Sequence, residues 1–376
     1  MKKLIIAILT LITLPASAQI SGDGYYRVQN NGTERYVSIT DDIIGGIDMT
    51  ATTVDMANIT TIRDYDKVKS NPGTIIYISK ANSKNEYDLE AQGISIHAIT
   101  GGQAYVKLTH QDEDVYTISA TAKGITKWLY DITSKNYDES SVTDYGDAVN
   151  QYWRIKPLNT TNNYIGFTPT LQTSDGWYGT FYAAFPFRVA SSDVHVYYVD
   201  GVKEGVFQLK EITDDIKPAN TPMIIKCSTN DASKNQITPV VATTTAPTDN
   251  KLSGTLFCSF KYEHVKNIKF DDSKMRLLGL NSAGELIFTK DKSSLTVEKS
   301  KYYLPKNTAY LYDASGLSGE YKLVSRETYT GIRNIDAEAT PSAAQGTYTL
   351  TGIRVDDTKP LRPGIYIQNG KKVVVK

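Results

Sequence analysis

The chain is poor in the residues that build several common kinds of functional site. Its 376 residues include only two Cys, four His and three Trp. Two Cys exclude a disulfide scaffold and a zinc site made of several thiolates. Lys and Arg (41) balance Asp and Glu (41), and this lack of net charge argues against a nucleic-acid binder, which needs a basic surface. No metalloprotease, EF-hand or serine-hydrolase motif is present, so the sequence predicts no catalytic residue, no metal site and no cofactor.

Long apolar runs are also scarce, and the longest is at the N-terminus. Residues 4–14 are apolar, follow Lys2 and Lys3, and are followed by Pro15 and Ala16-Ser17-Ala18. This order of charge, apolar run and small residues is typical of a secretory signal peptide. The run is shorter than the roughly 20 residues that a membrane-spanning helix needs, which disfavours an anchor. We therefore predict that residues 1–18 are a signal peptide and that the mature chain has no transmembrane segment.

Tyrosine is the residue in excess, with 26 Tyr against nine Phe. Its ring packs well in strands and its hydroxyl tolerates a half-wet surface. Short stretches of aromatic and β-branched residues recur between clusters of turn residues, which predicts an all-β protein.

A similar pattern of three strands occurs three times in residues 19–158, as a threefold internal repeat. The first strand of each unit covers residues 25–28, 75–78 and 115–118; the second begins near Tyr36, Tyr87 and Trp128; the last covers residues 59–62, 104–108 and 151–155. Three all-β units of about 40–50 residues are typical of a β-trefoil, whose closed barrel leaves few open edges. We predict a β-trefoil-like domain here.

Residues 159–330 contain further short strands and are predicted to form a β-sandwich domain. The strands are predicted at residues 181–185, 194–199, 206–209, 223–227 and 256–260, with turns at Asp200-Gly201 and at residues 281–284. Regular short strands between turn residues indicate a sandwich. From Gly176 onward this region resembles a module of Bacteroidota surface proteins that has no assigned chemistry.

Two turns of this region echo each other. Pro218-Ala-Asn220-Thr221 and Pro305-Lys-Asn307-Thr308 each precede an apolar strand. Pro fixes φ near the start of a turn, and Asn tolerates the left-handed backbone region.

Cys227 and Cys258 occupy inward-looking positions of two predicted strands. An exported protein meets oxidising conditions, so a disulfide between them is one alternative. It would stabilise the fold by about 3 kcal/mol. Two buried thiols that behave as small apolar groups are the other alternative.

Aromatic side chains are the only indication of a binding face. Gln151-Tyr152-Trp153 resembles the Gln-x-Trp motif of ricin-type lectin domains. That resemblance implies a sugar-binding role for Asp131, twenty residues before Gln151, and for the ring of Tyr145. Rings stack on the apolar faces of sugars, so the candidate ligand-binding residues are Trp128, Asp131, Tyr145, Gln151 and Trp177. Ordinary packing of these rings is the alternative.

The C-terminal residues 347–376 form a predicted small β-module after a polar linker at residues 331–346. Asn369-Gly370 between two apolar stretches indicates a hairpin. The segment resembles the C-terminal sorting domain of type IX secretion cargo in the Bacteroidota, and its matching motif residues are Tyr348, Gly352, Arg354, Val355, Gly364, Tyr366, Gly370, Lys371 and Lys372. The resemblance implies an address read by the export machinery; a terminal hairpin that caps the preceding domain is the alternative.

These patterns predict an exported, non-enzymatic surface or secreted protein that binds a glycan. A protein–protein adhesin or assembly component is the second hypothesis, with a surface protein as partner. A glycoside hydrolase or its accessory protein, with carboxylates that converge across domains, is the third.

Overall fold

The computed structural model describes residues 20, 22–39, 53–55, 59–97, 105–132, 139–143, 146–203, 206–257, 268–298, 300–313, 318–325, 347–349, 354–355, 361, 363–368 and 371–375. The chain divides into two compact units, Met1–Leu323 and Val324–Lys376. The predicted signal peptide and the predicted linker lie outside the described residues. No helix within the described ranges has the length and hydropathy of a membrane span.

The N-terminal part of the first unit is built almost entirely of strands. They are β1 (Gly24–Asn30), β2 (Tyr36–Ser38), β3 (Thr53–Asp55), β4 (Thr60–Ile62), β5 (Ile76–Lys80), β6 (Glu86–Ala91), β7 (Ile94–His97), β8 (Val106–Asp112), β9 (Val115–Ala122), β10 (Ile125–Trp128), β11 (Tyr130–Asp131), β12 (Glu139–Thr143) and β13 (Tyr152–Pro157). Among the described residues of this part, one helix, α1 (Tyr65–Val68), and two 3-10 helices, Pro72–Thr74 and Ala148–Gln151, interrupt the strands.

Six of these strands close into a barrel. Antiparallel pairing runs in the order β1, β5, β6, β8, β9 and β13, and β13 pairs again with β1. The apolar side chains of these strands form one buried cluster that includes Val28, Ile76, Ile118 and Trp153. Closure pairs each of the six strands on both sides, which removes the open edges that a flat sheet would leave. The predicted β-trefoil-like architecture is confirmed.

The rest of the first unit is a second β-region. Its strands are β14 (Ile165–Gly166), β15 (Leu171–Thr173), β16 (Gly176–Phe181), β17 (Phe187–Val189), β18 (His195–Lys203), β19 (Val206–Glu211), β20 (Met223–Cys227), β21 (Gln236–Pro239), β22 (Leu252–Thr255), β23 (Met275–Leu280), β24 (Leu286–Thr289), β25 (Thr296–Glu298), β26 (Lys301–Tyr303), β27 (Thr308–Tyr312) and β28 (Tyr321–Val324).

A ten-stranded sheet dominates this second region and carries apolar side chains on both faces. Its order is β15-β16-β20-β18-β19-β28-β24-β23-β27-β22, and a separate three-stranded sheet has the order β14-β21-β17. Along β20, Met223 and Ile225 enter one core with the small sheet. Ile224 enters another, which joins β16 to β22, β24 and β27 of the same large sheet. The large sheet thus folds over on itself and also packs on the small one, which gives the predicted sandwich-like layers.

Three local predictions in this region are wrong or only partly right. The strand predicted at residues 181–185 ends at Phe181, although Phe181, Ala183 and Phe185 are all buried. After Phe181 the backbone hydrogen bonds go to residues of turns and not to a neighbouring strand. The turn predicted at Asp200-Gly201 is a bulge inside β18, where Gly201 has φ +53°, because glycine takes the left-handed conformation without strain. Of the strand predicted at residues 256–260, the first two residues are not in a strand and the last three lie outside the described residues.

The two β-regions of the first unit share their cores. Ile75 and Tyr25 of the trefoil-like region pack with Ile165 and Phe185 of the second region. Phe257 of the second region is buried in the cluster of the trefoil-like barrel. The two β-regions on either side of residue 158 are therefore not independent bodies.

The described residues of the second unit from Thr347 onward form a small four-stranded sheet. Its strands are β29 (Thr347–Thr349), β30 (Arg354–Val355), β31 (Gly364–Gln368) and β32 (Lys371–Val375), in the order β30-β29-β31-β32. Gln368 pairs with Lys371 at the end of the β31–β32 hairpin, as the Asn369-Gly370 pair predicted. Asn369, Gly370 and Gly352 themselves lie outside the described residues.

Candidate functional site: a cleft between the two β-regions

The sugar-binding role that the lectin resemblance implies for Asp131 does not fit its surroundings. The side chains of Asp131 and Arg35 are both fully buried and form an ion pair with Nε 2.8 Å from Oδ2. Thr33 donates to the same carboxylate oxygen, and Thr61 donates to the other at 3.1 Å. A buried carboxylate with these three partners joins β11 to β4 and to the residues just before β2, and it is not available to a ligand.

The other predicted ligand-binding residues that the structure describes lie on three separate elements: Trp128 on β10, Gln151 at the end of the 3-10 helix Ala148–Gln151, and Trp177 on β16. Trp128 is 40% exposed on β10, and Trp177 is half-buried on β16 of the second region. Gln151 is half-buried and accepts a hydrogen bond from Tyr130 at 3.4 Å. Tyr145 lies outside the described residues. Trp153 of the Gln-x-Trp motif is completely buried and donates from Nε1 to the carbonyl of Leu129 at 3.0 Å.

Cys227 carries a free, buried thiol on β20, and Cys258 lies outside the described residues. Burial raises the pKa of the Cys227 thiol to about 12. Because the thiolate is the reactive form, this cysteine is chemically inert near neutral pH.

A concave site lies elsewhere, between the trefoil-like region and the second β-region. We call it the cleft; it has a volume of about 480 Å³, and it is lined by Thr60, Ile62, Lys67, residues 70–72, residues 166–169, residues 179–181, Ile225 and residues 306–308. This volume falls within the range of about 300–1,000 Å³ that is usual for small-molecule sites.

A buried arginine of β1 organises one wall of the cleft. Arg27 donates to Thr74 at 3.2 Å, to the carbonyls of Val68 and Tyr164, and to Asn163 at 3.2 Å. Burial lowers the pKa of the Arg27 guanidinium to about 10, so it stays charged at neutral pH. One side chain thus joins α1 and the following 3-10 helix to the first residues of the second region.

Direct links between the two regions complete this wall. The Gly166 N–H donates to the Lys69 carbonyl at 3.0 Å, and the Thr168 hydroxyl donates to that of Ser70 at 3.0 Å. A Cβ at Gly166 would lie 2.1 Å from the carbonyl oxygen of Ala232. Only glycine at position 166 therefore permits this close approach to the backbone of Ala232, which belongs to the same second region.

The lining of the cleft mixes apolar surface with neutral hydrogen-bonding groups. The apolar part includes Phe167, Phe181 and Ile225, and hydroxyl groups come from Thr60, Ser70, Thr168, Thr180 and Thr308. Among the described lining residues the ionisable side chains are Lys67 and Lys306, and none is Asp or Glu. No group of three or more metal-ligating side chains occurs in the described part of the chain.

The cleft has no sequence motif of its own, although one of the turns that line it is recognisable in the sequence. The lining comes from six separate stretches of chain, from Thr60 to Thr308, so no periodicity or local motif marks it. The Pro-x-Asn-Thr turn at residues 305–308 was recognised as a turn, but the sequence does not tell which surface the turn would line.

Comparisons with known proteins do not assign this chain to a family. Neither the protein-family models nor the curated protein sequences give a match. Among solved structures, the designed threefold-symmetric protein ThreeFoil is 17% identical, with a TM-score of 0.26, over 36% of this chain and 99% of that protein. A mosquitocidal holotoxin is 11% identical, with a TM-score of 0.26, over 78% of this chain and 34% of the toxin.

Proposed function

We propose that this chain is an exported, non-enzymatic binding protein that holds a glycan in the cleft. The observation that carries the proposal is the composition of the lining, in which hydroxyl and amide groups alternate with ring and aliphatic surface. Sugars present apolar C–H faces together with many hydroxyls, so they are matched by a site that offers both kinds of contact. The volume of 480 Å³ is enough for a short glycan segment rather than a macromolecular surface.

The position of the cleft also supports binding. Its walls come from both β-regions, which are joined there by the Gly166–Lys69 and Thr168–Ser70 hydrogen bonds and by Arg27. Rigid walls lower the entropy that a site loses when it orders around a ligand.

A bulky substitution in the cleft is expected to abolish binding. Thr168 is exposed and lines the cleft, so a Thr168→Trp side chain would occupy its volume. Affinity for the best ligand of a glycan array should fall about tenfold or more. Calorimetric titration of the purified mature protein would measure the change.

Thr170→Trp is the matched control. Thr170 is also exposed and lies two residues further along the same segment, outside the cleft lining. It should bind as the unchanged protein does. A silent glycan array would refute the proposed ligand class, and equal losses in the two variants would refute the proposed location.

We further propose that the second unit directs export to the cell surface or the medium. What supports this is that residues 324–376 form a compact unit of their own, as a separable address requires. The sheet carries Arg354, Gly364, Tyr366, Lys371 and Lys372 of the sorting motif on its strands.

Deletion of residues 347–376 is expected to stop export at the periplasm in a host that has the type IX apparatus. Cell fractionation followed by immunoblotting would locate the truncated and full-length proteins side by side. Thermal melting of the truncated protein should show that the first unit remains folded. Undiminished export of a folded truncated protein would mean that the module has a structural role only.

A further inference from the structure

Two turns of the second β-region adopt the same conformation, as their shared Pro-x-Asn-Thr sequence predicted. Asn220 has φ +51° and Asn307 has φ +52°. In each turn the Thr hydroxyl donates, at 3.1 Å, to the carbonyl two residues earlier, from Thr221 to Ala219 and from Thr308 to Lys306. Asn is well suited to this left-handed position in both places.

The two turns form backbone hydrogen bonds with adjacent residues of the segment after β16. The Asn220 N–H donates to the Ala183 carbonyl at 2.9 Å, and the Tyr182 N–H donates to the Asn307 carbonyl at 3.1 Å. Their side chains differ in surroundings: Asn220 is exposed and does not line the cleft, whereas Asn307 lines it.

The carboxamide of Asn307 is held in one orientation. Its Nδ2 donates to the Tyr182 carbonyl at 2.9 Å. The reverse orientation would place two acceptor oxygens against each other, so the assignment of Oδ1 and Nδ2 follows from this contact. Oδ1 is buried and has no hydrogen-bond partner among the described residues. Buried amide oxygens are nearly always paired, and an exception calls for a water, an ion or a ligand.

We propose that Asn307 determines the ligand specificity of the cleft, with Oδ1 as the acceptor for a hydroxyl or amide N–H of the bound glycan. The inference rests on the proposed function and deepens it. The ligand must place a hydrogen-bond donor, either a free hydroxyl or an acetamido N–H, at this wall. A sugar that is methylated or sulfated at that position presents only acceptors to Oδ1 and is rejected, because a buried site penalises unpaired polar groups.

Asn307→Gly tests the role of the side chain while keeping the turn. Glycine adopts positive φ without strain, so the backbone grip on Tyr182 is retained. Asn220→Gly makes the same change in the twin turn, away from the cleft. Affinity for the best glycan of the array should fall about tenfold in Asn307→Gly and stay unchanged in Asn220→Gly. An equal affinity in the two variants would overturn the inference.

A high-resolution crystal structure of the unliganded protein separates this inference from the proposed function. A silent array overturns the proposed glycan binding, whatever the turn variants do. An ordered water that donates to Oδ1 of Asn307 in the crystal would support the inference, because it would show that a donor can reach this buried oxygen. A protein N–H or O–H on Oδ1 would overturn the inference even if glycans bind. The crystal also gives an answer if Asn307→Gly fails to fold.

Discussion

Replacing Asp131 by alanine is expected to lower the free energy of unfolding by about 3–5 kcal/mol, because it removes the carboxylate that pairs with the buried guanidinium of Arg35. The substitution also removes the acceptors of Thr33 and Thr61. Urea unfolding of the mature protein, followed by circular dichroism, would show a lower midpoint with a similar slope. The effect is on stability, so a variant that still folds should keep its ligand affinity.

Two further variants test the explanation. Asp147 is an exposed carboxylate of the same region and makes no capping hydrogen bond, so Asp147→Ala should change stability by no more than about 0.5 kcal/mol. Replacement of both Arg35 and Asp131 by apolar residues of similar size should cost less than Asp131→Ala alone, since no charge is then left buried. An unchanged midpoint for Asp131→Ala would mean that water reaches the pair.

Trp153→Ala is expected to have an effect of similar size, about 3–5 kcal/mol, because it opens a cavity in the barrel core. The indole is completely buried, and its N–H donates a hydrogen bond to the carbonyl of Leu129. Denaturant unfolding monitored by circular dichroism is the suitable measurement, since the substitution also removes a fluorophore. Trp128→Ala is the matched control in the same region.

The control separates packing from mere loss of an aromatic ring. Trp128 is 40% exposed, and its removal should cost less than about 1 kcal/mol, as for most surface changes. Similar losses for Trp128→Ala and Trp153→Ala would contradict the placement of Trp153 as the centre of the barrel core.

Sequence periodicity predicted the folds well because strands alternate and turns are local. The threefold internal repeat located most of the barrel strands. The Pro-x-Asn-Thr pattern predicted two Asn residues in the left-handed backbone conformation, and the structure has both. The predictions are wrong where the burial of side chains alternates as in a strand but the backbone does not pair with another strand. Residues 181–185 alternate in burial like a strand, yet the turns at Asn220 and Asn307 take over their backbone hydrogen bonds.

The site was less predictable, because its chemistry depends on which distant segments meet. The resemblance to ricin-type lectins implies a sugar-binding role for Asp131, but the sequence does not reveal that Arg35 encloses its carboxylate. The hydroxyl groups of Ser70, Thr168 and Thr308 are ordinary in the sequence and become a site only when two β-regions pack together.

The fused core of the first unit has a consequence for how this chain can evolve. Ile75 and Tyr25 share a core with the second region, and Phe257 of the second region is buried in the core of the barrel. Neither region can be exchanged for an unrelated domain without exposing apolar surface on the other. An exchange of one region would therefore require compensating substitutions on the buried surface of the other.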